Sequence, residues 1–156
     1  MSHELKQKII SILDAGQDLT LATLREDGYP QATVVSYASD GLDIYVGTAA
    51  QSQKARNIAR DGRISATITL PYGDWDQIRG VSFGGRAHAV TDPDEQLRMG
   101  GLFMRKFPQI AKYVHADLGP GAFFRLEPEV ISVLDYSLGF GHTDQVRAAE
   151  LVLEPV

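Results

Sequence analysis

The chain has no cysteine among its 156 residues. That excludes disulfides, thiol nucleophiles and cysteine-ligated metals or clusters, so any redox chemistry has to come from a borrowed group or from other side chains. Positive charge is also in short supply. Fifteen Lys and Arg against twenty Asp and Glu leave a net charge of −5, which argues against nucleic acid or an anionic membrane as partner and leaves room for a small anion in a local basic pocket. No apolar run approaches transmembrane length, and the opening Met-Ser-His-Glu-Leu-Lys-Gln-Lys lacks the apolar centre of a signal peptide. The expectation is a soluble, cytoplasmic protein. His3, His88, His115 and His142 are scattered and form no HExxH-like pair, so no metal site is expected. A Gly-x-Ser-x-Gly elbow is missing, as is a Gly-x-Gly-x-x-Gly after a strand, and hydrolase and dinucleotide folds drop out. With no internal repeat and no linker-like segment, residues 1–156 are expected to form one domain.

What is present is organised around residues 42–69. Leu42, Ile44 and Val46 alternate with Asp43, Tyr45 and Gly47, and Ile64, Ala66 and Ile68 alternate with Ser65, Thr67 and Thr69, the period of half-buried strands. Between them Ala55, Ile58 and Ala59 fall at helical spacing, with Ser52 as N-cap and Gly62 just past the end, which predicts a helix from about Ser52 to Asp61. The first turn of that helix carries Lys54 and Arg56 where the helix dipole favours acids. A bound anion resolves the conflict: Thr48 and Ser52 offer hydroxyls, Lys54 an ammonium and the helix start its unpaired N–H groups, a set that suits a phosphate. The competing reading is that Ser52 only caps and Lys54 points into water.

Along the rest of the chain, Leu5, Ile9, Ile12 and Leu13 predict an opening helix ended by Gly16. Two strands follow, 19–24 and 30–37, joined by a turn at Asp27-Gly28, and a second turn at Ser39-Asp40-Gly41 leads into the strand at 42–47. The loop at 71–77 carries the single tryptophan, Trp75, which either packs over a barrel end or touches a planar ligand at the rim. A strand from Arg79 to Val90 is broken by Gly84-Gly85, the mark of a bulge. Asp92, Pro93 and Glu95 predict a helix start with a capping box, the helix running to about Lys106. Pro108 begins a short helical piece with Ile110, Tyr113 and Val114, and a last strand runs from Ala122 to Tyr136, interrupted by Pro128. The tail after Ser137 is expected to be loop; in it Phe140 can stack on a ring and His142 donate to it, or both can pack on a dimer partner. Six mostly antiparallel strands with a bulge point to a mainly β protein built as a small closed barrel with peripheral helices.

In the frame Tyr-Val-Gly-Thr-Ala-Ala-Gln-Ser-Gln-Lys-Ala, Thr48, Ser52 and Lys54 resemble the phosphate segment of the pyridoxamine 5′-phosphate oxidase-like split-barrel flavoproteins. The stretches Leu-Ala-Thr-Leu-Arg-Glu-Asp-Gly-Tyr-Pro-Gln-Ala, Arg-Gly-Val-Ser-Phe-Gly-Gly-Arg-Ala and Phe-Arg-Leu-Glu-Pro resemble the family in the same order. The resemblance implies a six-stranded antiparallel split β-barrel, a homodimer with two sites at the subunit interface, FMN as cofactor and a small-molecule redox substrate. It implies flavin contacts from the strand Ala32 to Ser36, hence Thr33, Val34, Val35 and Ser36, with Trp75, Phe140 and His142 as further candidates beside the ring. In the true oxidases of the family an arginine stands where Gln53 stands here, and a glutamine that contacts the flavin corresponds to Gly80. Gln53 and Gly80 are carried as cofactor-side positions, the smaller Gly80 being expected to widen the opening beside the ring. The likeness is therefore to the general branch, which includes flavin reductases, users of a deazaflavin coenzyme and heme or tetrapyrrole binders, some of them without turnover. A phosphate at Lys54 favours FMN over heme.

Overall fold

Apolar alternation sets the strands and tight turns set their order. In the computed structural model of the chain, which describes residues 2–113 and 119–152, helix α1 (Ser2–Ala15) leads into β1 (Asp18–Leu24), β2 (Pro30–Asp40) and β3 (Asp43–Ala49). Then come α2 (Gln53–Arg60), β4 (Arg63–Thr69), β5 (Arg79–Ala89), α3 (Pro93–Lys106), β6 (Gly121–Asp135), β7 (Thr143–Arg147) and α4 (Ala148–Val152). Short 3-10 turns lie at Trp75–Gln77, Pro108–Lys112 and Tyr136–Leu138. The second is the helical piece expected after Pro108; Val114 and His115 lie outside the described residues.

The antiparallel sheet runs β3-β2-β1-β4-β5-β6-β7, and β3 pairs again with β6, so the first six strands close into a barrel. Closure removes most exposed edges. Leu19, Leu21, Ile64, Ala66, Ile68, Val81, Phe83, Leu126, Ile131 and Val133 fill its interior. Ile9, Ile12 and Leu13 of α1 join the same core, and the Tyr37 hydroxyl donates to the Leu13 carbonyl at 2.6 Å.

The strand β6 is long enough to serve two partners along one edge. Its first part pairs with β3, from Gly121 opposite Ala49 to Leu126 opposite Ile44, and its last part pairs with β7, from Val130 to Leu134. Pro128 stands between the two, where no ladder on that edge needs its missing N–H. It does not end the strand, which continues through it, but the irregularity lies beside it on β6: consecutive Gly84 and Gly85 face Val130 and Pro128, so Glu129 is the extra residue of a bulge. The tail differs from the loop expected after Ser137: β7 adds a seventh strand, and Leu151 of α4 is buried in the core.

Two other expectations change for tertiary reasons. Tyr45, read as the open side of a half-buried strand, is fully buried, because α3 lies over it with Val90 and Met99. Asp92 caps α3 by accepting from the Glu95 N–H at 2.9 Å, but the Glu95 carboxylate does not complete the capping box; it takes the Tyr45 hydroxyl at 3.0 Å and Arg125 Nε at 3.2 Å. A buried phenol and a neighbouring cation outbid the helix's own N–H for that carboxylate.

Asp135, 2 % exposed, ends β6 and clasps α1 to the tail. Its carboxylate accepts from Lys8 Nζ at 2.8 Å and from the Ser137 backbone N–H at 3.1 Å, and Arg79 lies 3.7 Å away. Burial on its own would raise this carboxyl; the Lys8 and Ser137 bonds outweigh it and hold the pKa at about 2. The unfolded value is about 3.9, so the group contributes about 2 kcal/mol that is complete above about pH 4 and lost as pH falls through about 2. Urea unfolding of wild type and Asp135→Asn is expected to show a gap of about that size at pH 6 that closes towards pH 2. A gap independent of pH would contradict the clasp.

Candidate cofactor site

The sheet parts where β2 changes partner. β3 pairs with β2 only at Tyr37–Asp40 and then turns to β6, while β1 pairs with β2 from Pro30 to Ser36. The other edge of β2 over residues 30–36 is therefore open, and in an antiparallel ladder such an edge presents unpaired N–H and C=O groups. Side chains here alternate. Thr33 and Val35 lie opposite Leu21 and Leu19 and share their inward face, while Ala32, Val34 and Ser36 face out, Val34 being 68 % exposed. The four expected flavin contacts thus split: Val34 and Ser36 stand on the exposed face, while Thr33 and Val35 stand with Gln31 on the half-buried face. Ser36 Oγ already donates to Asp18 at 2.8 Å.

α2 forms the opposite wall. A tight turn after β3, with Ser52 N–H donating to the Ala49 carbonyl at 3.0 Å, brings Ser52 to the N-cap, where its Oγ accepts from the Ala55 N–H at 3.2 Å. Thr48 Oγ1 donates to the same oxygen at 3.0 Å, so both Ser52 lone pairs are used and its proton is free to be given. The Arg56 N–H goes to the Ser52 carbonyl, which leaves the N–H groups of Gln53 and Lys54 open. The first turn has no acid, and Lys54 has no carboxylate partner among the described residues. Helix extent and cap agree with the sequence expectation.

Behind this turn, Asn57 is 0 % exposed and ties α2 to the β1–β2 hairpin. Its Nδ2 donates to Thr23 Oγ1 and to Gln31 Oε1, each at 3.0 Å, and its Oδ1 accepts from Gln53 Nε2 at 2.7 Å. Gln53, expected at the cofactor, is thus partly engaged inside the protein, its Oε1 accepting from Arg56 at 2.8 Å. Neither Gln31 nor Asn57 stood out in the sequence; a buried Asn between Arg56 and Ile58 has no periodic signature.

The remaining candidates lie elsewhere. The Trp75 ring sits 5.7 Å from that of Phe140, which meets Tyr136 edge-on at 5.5 Å, and His142 Nε2 lies 2.9 Å from Asp144. Trp75 and Phe140 are 59 % and 78 % exposed. This aromatic group follows the Asp135 end of β6, whereas α2 starts beside its Gly121 end. The two thus stand at opposite ends of β6, and no hydrogen bond or ring contact among the described residues joins them. An open recess of about 580 Å³ lined by Leu70, Pro71, Tyr72, Gly73, Gln77 and Arg79 accompanies the aromatic group. Gly80 also lies at this end, buried opposite Thr69 and Leu134. A Cβ there would stand 2.7 Å from the Ile68 carbonyl oxygen. Glycine is required at this position by the close approach of β4 and does not widen a ligand opening.

Among the described residues no group of three or more His, Asp or Glu is placed to hold a metal ion, and no helix is long and apolar enough to cross a membrane.

Comparison with known proteins bears on this geometry. The family model for pyridoxamine 5′-phosphate oxidase matches residues 5–135. No curated protein matches. Among solved structures, a heme binding protein from Mycobacterium smegmatis is similar at TM-score 0.79 and 21 % identity over 94 % of this chain; the chain spans 59 % of that protein's length. The conserved hypothetical protein Rv2991 from Mycobacterium tuberculosis is similar at TM-score 0.69 and 26 % identity, over 96 % of this chain and 89 % of that one. The heme storage protein HutZ from Vibrio cholerae is similar at TM-score 0.65 and 19 % identity, over 80 % and 90 %. At 21 % and 19 % identity, the M. smegmatis protein and HutZ show likeness of fold alone.

Proposed function

Because the chain belongs to the pyridoxamine 5′-phosphate oxidase family, we propose that it holds FMN in the split beside α2, at the interface of a homodimer, and passes hydride or electrons to a small substrate. The observation that carries this reading is the character of the α2 wall. Its free groups are donors, namely the Ser52 hydroxyl, the Lys54 ammonium and two backbone N–H groups, with no acid in the turn. A dianionic phosphate ester satisfies such a set.

In this reading Thr48, Ser52 and Lys54 hold the phosphate, Thr48 acting through Ser52. The open edge of β2 from Ala32 to Ser36 supplies backbone groups for the polar rim of the ring, and exposed Val34 supplies an apolar surface for its face. Trp75, Phe140 and His142 belong to the partner copy's site, because in their own chain they lie at the far end of β6. Bound FMN supplies one- or two-electron redox chemistry, and the protein positions it and admits the substrate. The second reading is heme binding, favoured by the names of two structural neighbours.

Anaerobic mixing with excess NADPH or NADH is expected to bleach the flavin band within seconds to minutes, on a particle of twice the 17.1 kDa chain mass by light scattering. Bleaching by dithionite but by neither nicotinamide nor a reduced deazaflavin would replace the enzyme with a carrier. A monomer that holds flavin tightly would remove the interface site.

A further inference from the structure

The hydrogen bonds around Asn57 all point one way, and an arginine fixes their direction. A guanidinium can only donate, so the Gln53 oxygen that takes Arg56 Nη2 at 2.8 Å cannot be its amide nitrogen. Gln53 must then turn Nε2 towards Asn57, whose Oδ1 accepts it at 2.7 Å. That leaves Asn57 only its Nδ2 for the other side, and both protons are used, one on Thr23 Oγ1 and one on Gln31 Oε1. Asn57 is fully buried and Thr23 is 3 % exposed. Reversing the amide would set two N–H groups against each other and leave buried atoms unpaired, a costly arrangement. Gln31 is thereby held with its oxygen inward, and its Nε2 has no partner among the described residues.

We infer that Gln31 is a specificity-determining residue of the site: a one-way relay from Arg56 through Gln53 and Asn57 presents its NH2 group, so that the β2 wall takes an acceptor oxygen of the bound phosphate ester and rejects a donor. Gln31 stands on β2 opposite Thr23, at the open end of the split, and Asn57 joins it to Gln53, the first residue of α2. Donors therefore line both walls. Gln31 acts on the ligand directly; Asn57, Gln53 and Arg56 are positioning residues. The inference rests on the FMN reading of the same site.

The test is titration of the full chain with FMN and with riboflavin, which lacks the phosphate. Gln31→Glu keeps an oxygen for Asn57 but puts a second oxygen where the NH2 group was. Its FMN affinity is expected to fall about tenfold or more, with riboflavin affinity changed little. Arg56→Lys, which keeps an obligate donor, is expected to retain more of the FMN preference than Arg56→Met. All three variants leave Asn57 untouched, and melting temperatures near wild type confirm folding. Unchanged FMN affinity in Gln31→Glu, or equal loss for FMN and riboflavin, would overturn the inference while leaving FMN binding in place. Wild-type protein that takes up no FMN would overturn the reading beneath it.

Discussion

Replacing Gly85 with alanine is expected to cost about 4 kcal/mol or more, enough to lower the melting temperature by roughly 10 °C. A Cβ at Gly85 would lie 2.0 Å from the Glu127 carbonyl oxygen, 2.9 Å from its carbon and 3.0 Å from Pro128 Cα. All three are backbone, so no side chain can swing away. β5 and β6 are paired on both sides of this point, from Arg79 opposite Asp135 to Ala89 opposite Phe124, which prevents either strand from moving alone. The neighbouring Gly84 is the control. A Cβ there meets nothing within 4 Å, so Gly84→Ala is expected to stay within about 1 kcal/mol of wild type. Thermal unfolding followed by circular dichroism separates the two. A Gly85→Ala protein as stable as Gly84→Ala would mean that the strands do not approach here and that the barrel closes differently.

The second large effect is on binding. Lys54→Ala removes the one ammonium in the first turn of α2 and is expected to weaken FMN by ten- to a hundredfold, the loss of a charge-assisted contact worth roughly 1.5–3 kcal/mol. Riboflavin should be nearly indifferent, since it brings no phosphate. Folding should be unaffected, because Lys54 is only half-buried and has no partner among the described residues whose loss would leave a buried group unpaired. Equal FMN affinity in the two proteins would make Lys54 a solvated lysine, as the plainer reading of the sequence has it.

How much of this was legible in the sequence depends on how far each feature reaches along the chain. The cap at Ser52, the start of α3 at Asp92 and Pro93, and the turns whose Gly28 and Gly41 take φ of +83° and +60° are set by neighbouring residues, and all are where the sequence puts them. The alternation in β1 and β4 is equally local, since one face meets the core and the other does not. Tyr45 is different: its burial depends on α3, about fifty residues later, and so does the diversion of Glu95 from the cap. β7 escaped notice because Thr143-Asp-Gln-Val-Arg shows a single buried position, Val146, and gains its pairing from β6. Gly80 carried a functional expectation from the family resemblance that the packing against Ile68 corrects. The donors at Thr48, Ser52 and Lys54, the set proposed to hold an anion, were visible because they lie close together in the sequence. The relay that ends at Gln31 was not, because it joins three elements through a single buried Asn57.

The central claim is that the split beside α2 takes FMN. Titration of the purified protein with FMN, followed by quenching of flavin fluorescence, tests it most directly. One FMN bound per chain, with hemin failing to displace it, is the expected result. No quenching at any FMN concentration, together with a Soret band on addition of hemin, would contradict it and give the fold's other reading the site.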